Sequence, residues 1–112
     1  MELQDASLLR VFLSEDDVHN GRELHHAILA KAHSMEIAGG TVLRGVGGYG
    51  PASLQIKHFQ FRTEGHPLVL EFVDTEEKIN LFLPVAAAML DSGAMTVERV
   101  KFYAKPSHPA PS

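Results

Sequence analysis

The chain has 112 residues, which is enough for one domain and too few for two. Its 45% hydrophobic and 21% charged residues exclude an intrinsically disordered protein. A net charge of −4, with Lys and Arg scattered singly, argues against nucleic acid as a partner, and the lack of cysteine excludes disulfides, thiolate metal sites and cysteine nucleophiles.

The first half of the chain predicts a strand, a helix and a second strand. Residues 7–14 are apolar and rich in strand-forming side chains. Asn20 is predicted to cap the helix, with Glu23 completing a capping box. Apolar residues at three- and four-residue spacing continue this helix, which should stop before the two glycines at 39–40. Residues 41–46 then predict the second strand.

The second half predicts strand, helix and strand again. After an extended arm at residues 54–62, residues 68–73 predict the third strand. Asp74 or Thr75 is expected to cap a second helix, in which Pro84 should cause a kink or a break. Residues 95–103 alternate as a final strand.

This order of elements predicts an α+β, ferredoxin-like βαββαβ sandwich, an antiparallel sheet with two helices on one face. Residues 1–103 would form a single domain, and the Pro-rich residues 104–112 a disordered tail. The first and third strands are apolar on both faces, so the face without helices also needs a cover. Other copies of the chain are the favoured cover, and the arm at residues 54–62 is the alternative.

A glycine-rich segment follows the second predicted strand. Four glycines within residues 45–50 permit close backbone approach to a ligand and expose amide donors to an anion. Tyr49 offers a ring for stacking and Arg44 a positive charge. The alternative is a flexible loop base whose glycines serve turns only, and the pattern alone leaves both open. The segment is not a Walker loop, because it lacks the Gly-Lys-Ser/Thr ending.

The chain resembles the uncharacterised branch of the PII-like signalling protein family, known as domain of unknown function 190. The resemblance covers residues 8–103 and rests on residues 14–17, 19–21, 38–45, 48–50, 73–79 and 82–84. It implies a homotrimer that binds an adenine nucleotide or another small ligand between subunits. A mobile loop, here around residues 48–62, would signal to a transporter or enzyme; members of this branch are often encoded beside membrane fluoride exporters.

Two departures from the family pattern affect the predicted ligand site. PII proteins carry a Gly-Asp-Gly-Lys turn before the last strand, whereas residues 94–99 lack these glycines and only Arg99 can replace the lysine. Tyr49 stands where other members have glutamine. The ligand is therefore expected to be an adenine nucleotide or a different small anion. The predicted ligand-binding residues are Thr41, Arg44, Gly45, Gly47, Gly48, Tyr49, Gly50 and Arg99.

Metal binding and catalysis are the alternatives from other functional classes. Seven histidines suggest a metal-binding trimer resembling copper-tolerance proteins, but the adjacent His25 and His26 are expected to point in different directions on a helix, and no metal ligand is assigned. Catalytic motifs are missing, so no catalytic residue, no cofactor and no enzyme activity is expected. An enzyme of the ferredoxin-like type would need an internal pocket with a buried His or Asp. The acidic N-terminus lacks a signal-peptide pattern, which favours the cytoplasm.

Overall fold

A computed structural model of the chain describes residues 1–51 and 65–107. The elements of the described residues are β1 (Gln4–Ser14), β2 (Val18–His19), β3 (Arg22–Glu23), α1 (Leu24–Ser34), β4 (Gly39–Arg44), β5 (Pro67–Asp74), α2 (Glu76–Met89) and β6 (Ala94–Phe102). The predicted arm at residues 54–62 and the end of the predicted tail, residues 108–112, lie outside the described residues. None of the described helices combines the length and the apolar character needed to cross a bilayer.

The four long strands form one antiparallel sheet in the order β4-β5-β1-β6. The first and third long strands are therefore central, and the second and fourth are the edges, which is the ferredoxin-like arrangement. The predicted fold class is confirmed. The predicted second strand begins two residues early, at Gly39, so the pair of glycines belongs to the strand rather than to the end of the helix.

The core lies between the sheet and the two helices. Alternate residues of β1 and β5 point into it, because successive side chains of a strand face opposite sides. Phe72 of β5 meets Phe82 of α2 edge to face, with ring centroids 5.2 Å apart. The buried cluster consists of Leu9, Val11, Leu13, Leu24, Ile28, Ala32, Leu68, Leu70, Phe72, Ile79, Phe82 and Ala86.

The face of the sheet without helices is mixed, not uniformly apolar. Pairing of the strands places Leu8 beside Val73, and Phe12 beside Val69, on this face. Arg10 lies between these pairs, and its Nε donates to Glu71 Oε2 over 2.8 Å. The same guanidinium also donates to Glu98 of β6. The helix-free face thus carries an ion-pair cluster, Arg10 with Glu71 and Glu98, within an apolar surround.

The predicted cap of the first helix is wrong. Asn20 and Gly21 instead form the two-residue turn of a small hairpin, in which β2 pairs with β3. Both have positive φ, 50° and 77°, as a tight hairpin turn of the type-I′ class requires. The helix starts only at Leu24, and Glu23 occupies the capping position without a capping side-chain hydrogen bond.

The second helix begins as predicted and remains continuous. The Oγ1 of Thr75 accepts a hydrogen bond from the backbone N–H of Lys78 over 3.2 Å, which satisfies one of the free donors of the first turn. Asp74 is buried and accepts from the backbone N–H groups of Ala38 and Thr75, so it joins the starts of β4 and α2. Pro84 lies inside α2 without dividing it.

Candidate functional site

The glycine-rich segment leaves the sheet from the end of the edge strand β4. The N–H of Gly45 donates to the carbonyl of Pro67 over 2.7 Å, which extends the contact with β5 by one residue. A side chain at Gly45 would bring its Cβ to 3.0 Å from Pro67 Cγ, so the close approach of the two strands favours glycine there. This contact fixes the position from which the segment departs.

Beyond Gly45 the segment is open on its outer side. Gly48 has a φ of 151°, a conformation that side chains rarely adopt. Tyr49 exposes 67% of its surface, and a Cβ added at Gly50 would meet no other atom within 4 Å. Gly47 is half-buried. The segment therefore combines an anchored base with an exposed aromatic ring and accessible backbone.

Arg44 provides the positive charge next to this segment. Its guanidinium is exposed, and Nη2 donates to Glu15 Oε1 over 2.6 Å. Glu15 follows β1, and its own N–H donates to the carbonyl of His66, which precedes β5. The last residues of β1 and β4 and the first residue of β5 therefore lie at the same end of the sheet. An ion pair with an exposed guanidinium contributes little to stability.

Two of the predicted ligand-binding residues lie apart from this group within one chain. Thr41 is paired with Glu71 on the helix-free face of the sheet. Arg99 is opposite Ser7 on β6, and β6 and β4 are the two opposite edges of the sheet. The structure thus brings Arg44, Gly45 and the following residues together, but it does not bring Arg99 to them in a single chain.

Sequence reasoning missed Glu15 as the partner of Arg44. The two residues are 29 positions apart, and their meeting depends on the register of β1, β5 and β4. Glu15 follows the first predicted strand, but Arg44 lies within the second, residues 41–46, so the predicted elements did not bring the two side chains together. In the sheet, β5 also separates β1 from β4, so the contact does not follow from the pairing of neighbouring strands.

A concave surface lies between α1 and β4. It is a groove of about 370 Å³ lined mainly by apolar side chains, with Leu29, Ile37 and Phe72 among them. Its one histidine, His33, is exposed on the last turn of α1. Asp74 is not part of this lining; its buried carboxylate accepts from backbone N–H groups and lies 3.5 Å from Lys78 Nζ. His33 is therefore the one titratable side chain in the described lining of the groove.

Comparison with known proteins gives a family match over most of the chain. The model of the DUF190 family, described as uncharacterized ACR, matches residues 6–102. A UPF0166 protein of Aquifex aeolicus is 36% identical over 103 residues, covering 90% of this chain and 96% of that protein. A UPF0166 protein of Methanocaldococcus jannaschii is 27% identical over 92 residues, covering 82% of this chain and 85% of that protein.

Solved structures show the same fold at low sequence identity. A candidate PII-like signalling protein of Thermus thermophilus has a TM-score of 0.64 and 17% identity, covering 91% of this chain and 93% of that one. The protein CPII of Thiomonas intermedia, in a structure bound to ADP, AMP and acetate, has a TM-score of 0.58 and 14% identity, with 93% and 94% covered. The chain therefore belongs to the DUF190 family and has the PII-like, ferredoxin-like fold.

Proposed function

We propose that this chain is a regulatory protein, not an enzyme, that binds an adenine nucleotide or a similar small anion between subunits of a homotrimer. The observation that carries the proposal is the anchored glycine segment at the edge of β4, with Arg44 and the exposed ring of Tyr49 beside it. Ligand binding there would change the surface offered to a partner, which we propose to be a transporter or an enzyme.

The positions of the predicted ligand-binding residues support a site shared between subunits. The glycine segment departs from β4 and Arg99 lies on β6, at opposite edges of the sheet. A neighbouring copy that presents its β6 edge to β4 would unite the two in one cleft. The exposed apolar residues of the helix-free face, among them Phe12 and Leu43, give such copies a surface to bury.

The chemistry of the segment supports an anionic ligand with an aromatic base. Successive backbone N–H groups in a glycine-rich turn form a concave donor surface for phosphate oxygens. Arg44 can turn from Glu15 to a phosphate, because guanidinium groups bind carboxylate and phosphate in the same geometry. Tyr49 offers the ring face on which a purine stacks. CPII, a protein of the same fold, is bound to ADP and AMP in its structure.

Two substitutions of opposite effect test this assignment. In Arg44→Ala, ADP binding measured by calorimetry should weaken by about tenfold or more, because a charge-assisted hydrogen bond is lost. In Glu15→Gln, binding should become tighter, because Arg44 loses its competing carboxylate and the site loses a negative charge. Lys31→Ala, which removes a positive charge from the exposed side of α1, should leave the affinity unchanged.

Binding of ADP, ATP and AMP should be compared at one salt concentration, and the oligomeric state of each variant should be checked by light scattering. If the protein binds none of these nucleotides and no small phosphate or carboxylate anion, the proposed function is wrong. Equal losses in Arg44→Ala and Lys31→Ala would show a general charge effect and would remove Arg44 from the site.

A further inference from the structure

A cluster of metal-ligating side chains lies at the start of α1, away from the glycine segment in sequence. It consists of Glu23, His25 and His26, and one ligand atom from each lies within 4.8 Å of the others. The Oε2 of Glu23 is 3.3 Å from His25 Nε2 and 3.2 Å from His26 Nδ1. We refer to these three residues as the Glu23 cluster.

Neighbouring residues within a helix point in different directions, as expected above for His25 and His26. The Glu23 cluster, however, straddles the beginning of the helix. Glu23 still has an extended backbone, with φ −61° and ψ 124°, and His25 and His26 are the second and third residues of the first turn. The two imidazole rings lie 4.3 Å apart between centroids, and their nitrogens reach the same carboxylate oxygen.

Two of the three separations within the Glu23 cluster are close to those of ligands around a tetrahedral ion, and the third, between the two histidine nitrogens, is no more than 4.8 Å. Zinc binds His nitrogen and carboxylate oxygen at about 2.0–2.2 Å, so two ligands in a tetrahedral arrangement are about 3.3–3.5 Å apart. The distance from Glu23 Oε2 to His25 Nε2, 3.3 Å, lies at the lower end of this range, and the distance to His26 Nδ1, 3.2 Å, lies just below it. Neither pair needs a backbone movement to approach the spacing of zinc ligands. A hydrogen bond explains either distance alone, but one carboxylate oxygen between two imidazole nitrogens also provides a three-ligand set.

Burial within the Glu23 cluster is uneven in a way that suits ion entry. The side chain of His25 is only 11% exposed, so packing already fixes the orientation of its ring. The side chains of His26 and Glu23 are 70% and 57% exposed, which leaves the outer side accessible to solvent. The His25 Nδ1 atom is buried and has no hydrogen-bond partner among the described residues, so Nε2 is the ring nitrogen that contacts Glu23.

We propose that Glu23, His25 and His26 bind one divalent transition-metal ion per chain, with Zn²⁺ as the ion that fits the ligand set. Two imidazoles and one carboxylate are borderline ligands that favour Zn²⁺ over Mg²⁺ or Ca²⁺, which prefer oxygen alone. Three protein ligands leave the fourth position to water or to a group from a partner. None of the site's three ligands is among the predicted nucleotide-binding residues.

Zn²⁺ titration of the untagged, full-length protein against a chromogenic chelator tests the proposal. The wild type should bind one Zn²⁺ per chain. Glu23→Gln and His26→Asn, both at exposed side chains, should each weaken that binding by about tenfold or more, since each removes a ligand. The matched control is His33→Asn, which removes an exposed histidine from the other end of α1 and should bind Zn²⁺ as the wild type does.

A second measurement keeps the outcome independent of folding. Co²⁺ bound to the wild type should give the intense visible absorption of a tetrahedral site, and Glu23→Gln should lose it while keeping the wild-type circular dichroism spectrum. The proposal is overturned if the wild type binds no Zn²⁺ at micromolar concentration. It is also overturned if Glu23→Gln and His26→Asn keep the wild-type affinity, or if His33→Asn loses as much affinity as they do.

Discussion

At the scale of single residues, the clearest electrostatic effect is the pair of Asp5 and Lys101 across β1 and β6. The two are direct partners in the strand register, and the Lys101 ammonium donates to Asp5 Oδ1. This hydrogen bond, followed by the positive charge of the same group, lowers the pKa of the Asp5 carboxyl below its ordinary value of 3.8. The ionised form of Asp5 is therefore favoured by folding.

The replacement Lys101→Met should raise the pKa of Asp5 back to its ordinary range, as measured by NMR titration of the side-chain carboxyl carbon. Because the folded-state pKa is the lower one, the pair stabilises the fold above the unfolded pKa of Asp5. That contribution is lost as the pH falls through the folded value. Lys105→Met, beyond the end of β6, should leave the Asp5 titration unchanged. An unchanged Asp5 pKa in Lys101→Met would contradict the pairing.

Residue chemistry in the candidate site was predictable only where it is local. The glycines within residues 45–50 predicted an unusual backbone conformation, and the hydrogen-bonded Gly45 and the positive φ of Gly48 agree with that expectation. The role of each in ligand binding stays a prediction. The contact of Arg44 with Glu15 was not predictable, because strand register decides which of several acids it meets.

At the scale of elements, the start of α2 depends on one hydroxyl. Thr75→Ala should lower the free energy of unfolding by about 1 kcal/mol, because the N–H of Lys78 loses its acceptor. Chemical denaturation at a fixed protein concentration measures the difference. Thr75→Ser keeps the hydroxyl and should stay close to the wild type. Equal losses in the two variants would assign the effect to the lost methyl group instead of the cap.

The two helix starts show what sequence signals can and cannot settle. Thr75 and Asn20 are both good capping residues, and each was followed by an acid near the start of the predicted helix. Only Thr75 caps a helix. At Asn20 the following glycine changes the outcome, because Asn-Gly also forms a tight hairpin turn, and the pairing of Val18 with Glu23 completes that hairpin. At Asn20 a helix-cap signal and a hairpin-turn signal overlap, and the sequence alone did not show which of the two would form.

At the scale of the whole molecule, a substitution on the helix-free face of the sheet tests the proposed homotrimer. Phe12→Glu introduces a charge among the apolar residues of that face, and we expect it to produce monomers at micromolar concentration, as measured by light scattering. Burial of a large apolar side chain contributes about 1.5–3 kcal/mol, which the substitution removes. The matched control is Leu81→Glu on α2, where Leu81 is already 63% exposed, and it should assemble as the wild type does.

A wild-type protein that is itself a monomer under these conditions would refute the proposed trimer, and so would a Phe12→Glu variant of unchanged mass. The apolar positions on both sides of the central strands predicted the apolar part of this face, which includes Leu8, Phe12 and Val73. The sequence could not indicate Arg10, Glu71 and Glu98 as one cluster, since 61 and 88 positions separate Arg10 from its two partners. Such a cluster exists only once three strands are aligned.

The composition of that ion-pair cluster has an electrical consequence for assembly. One guanidinium is shared by two carboxylates, so each chain carries one uncompensated negative charge at the centre of the helix-free face. When several copies bring these faces together, like charges approach one another across the contact. Dissolved ions screen such repulsion over about 10 Å at 0.1 M. Ionic strength would thus favour the assembled form, the reverse of its effect on contacts held by opposite charges.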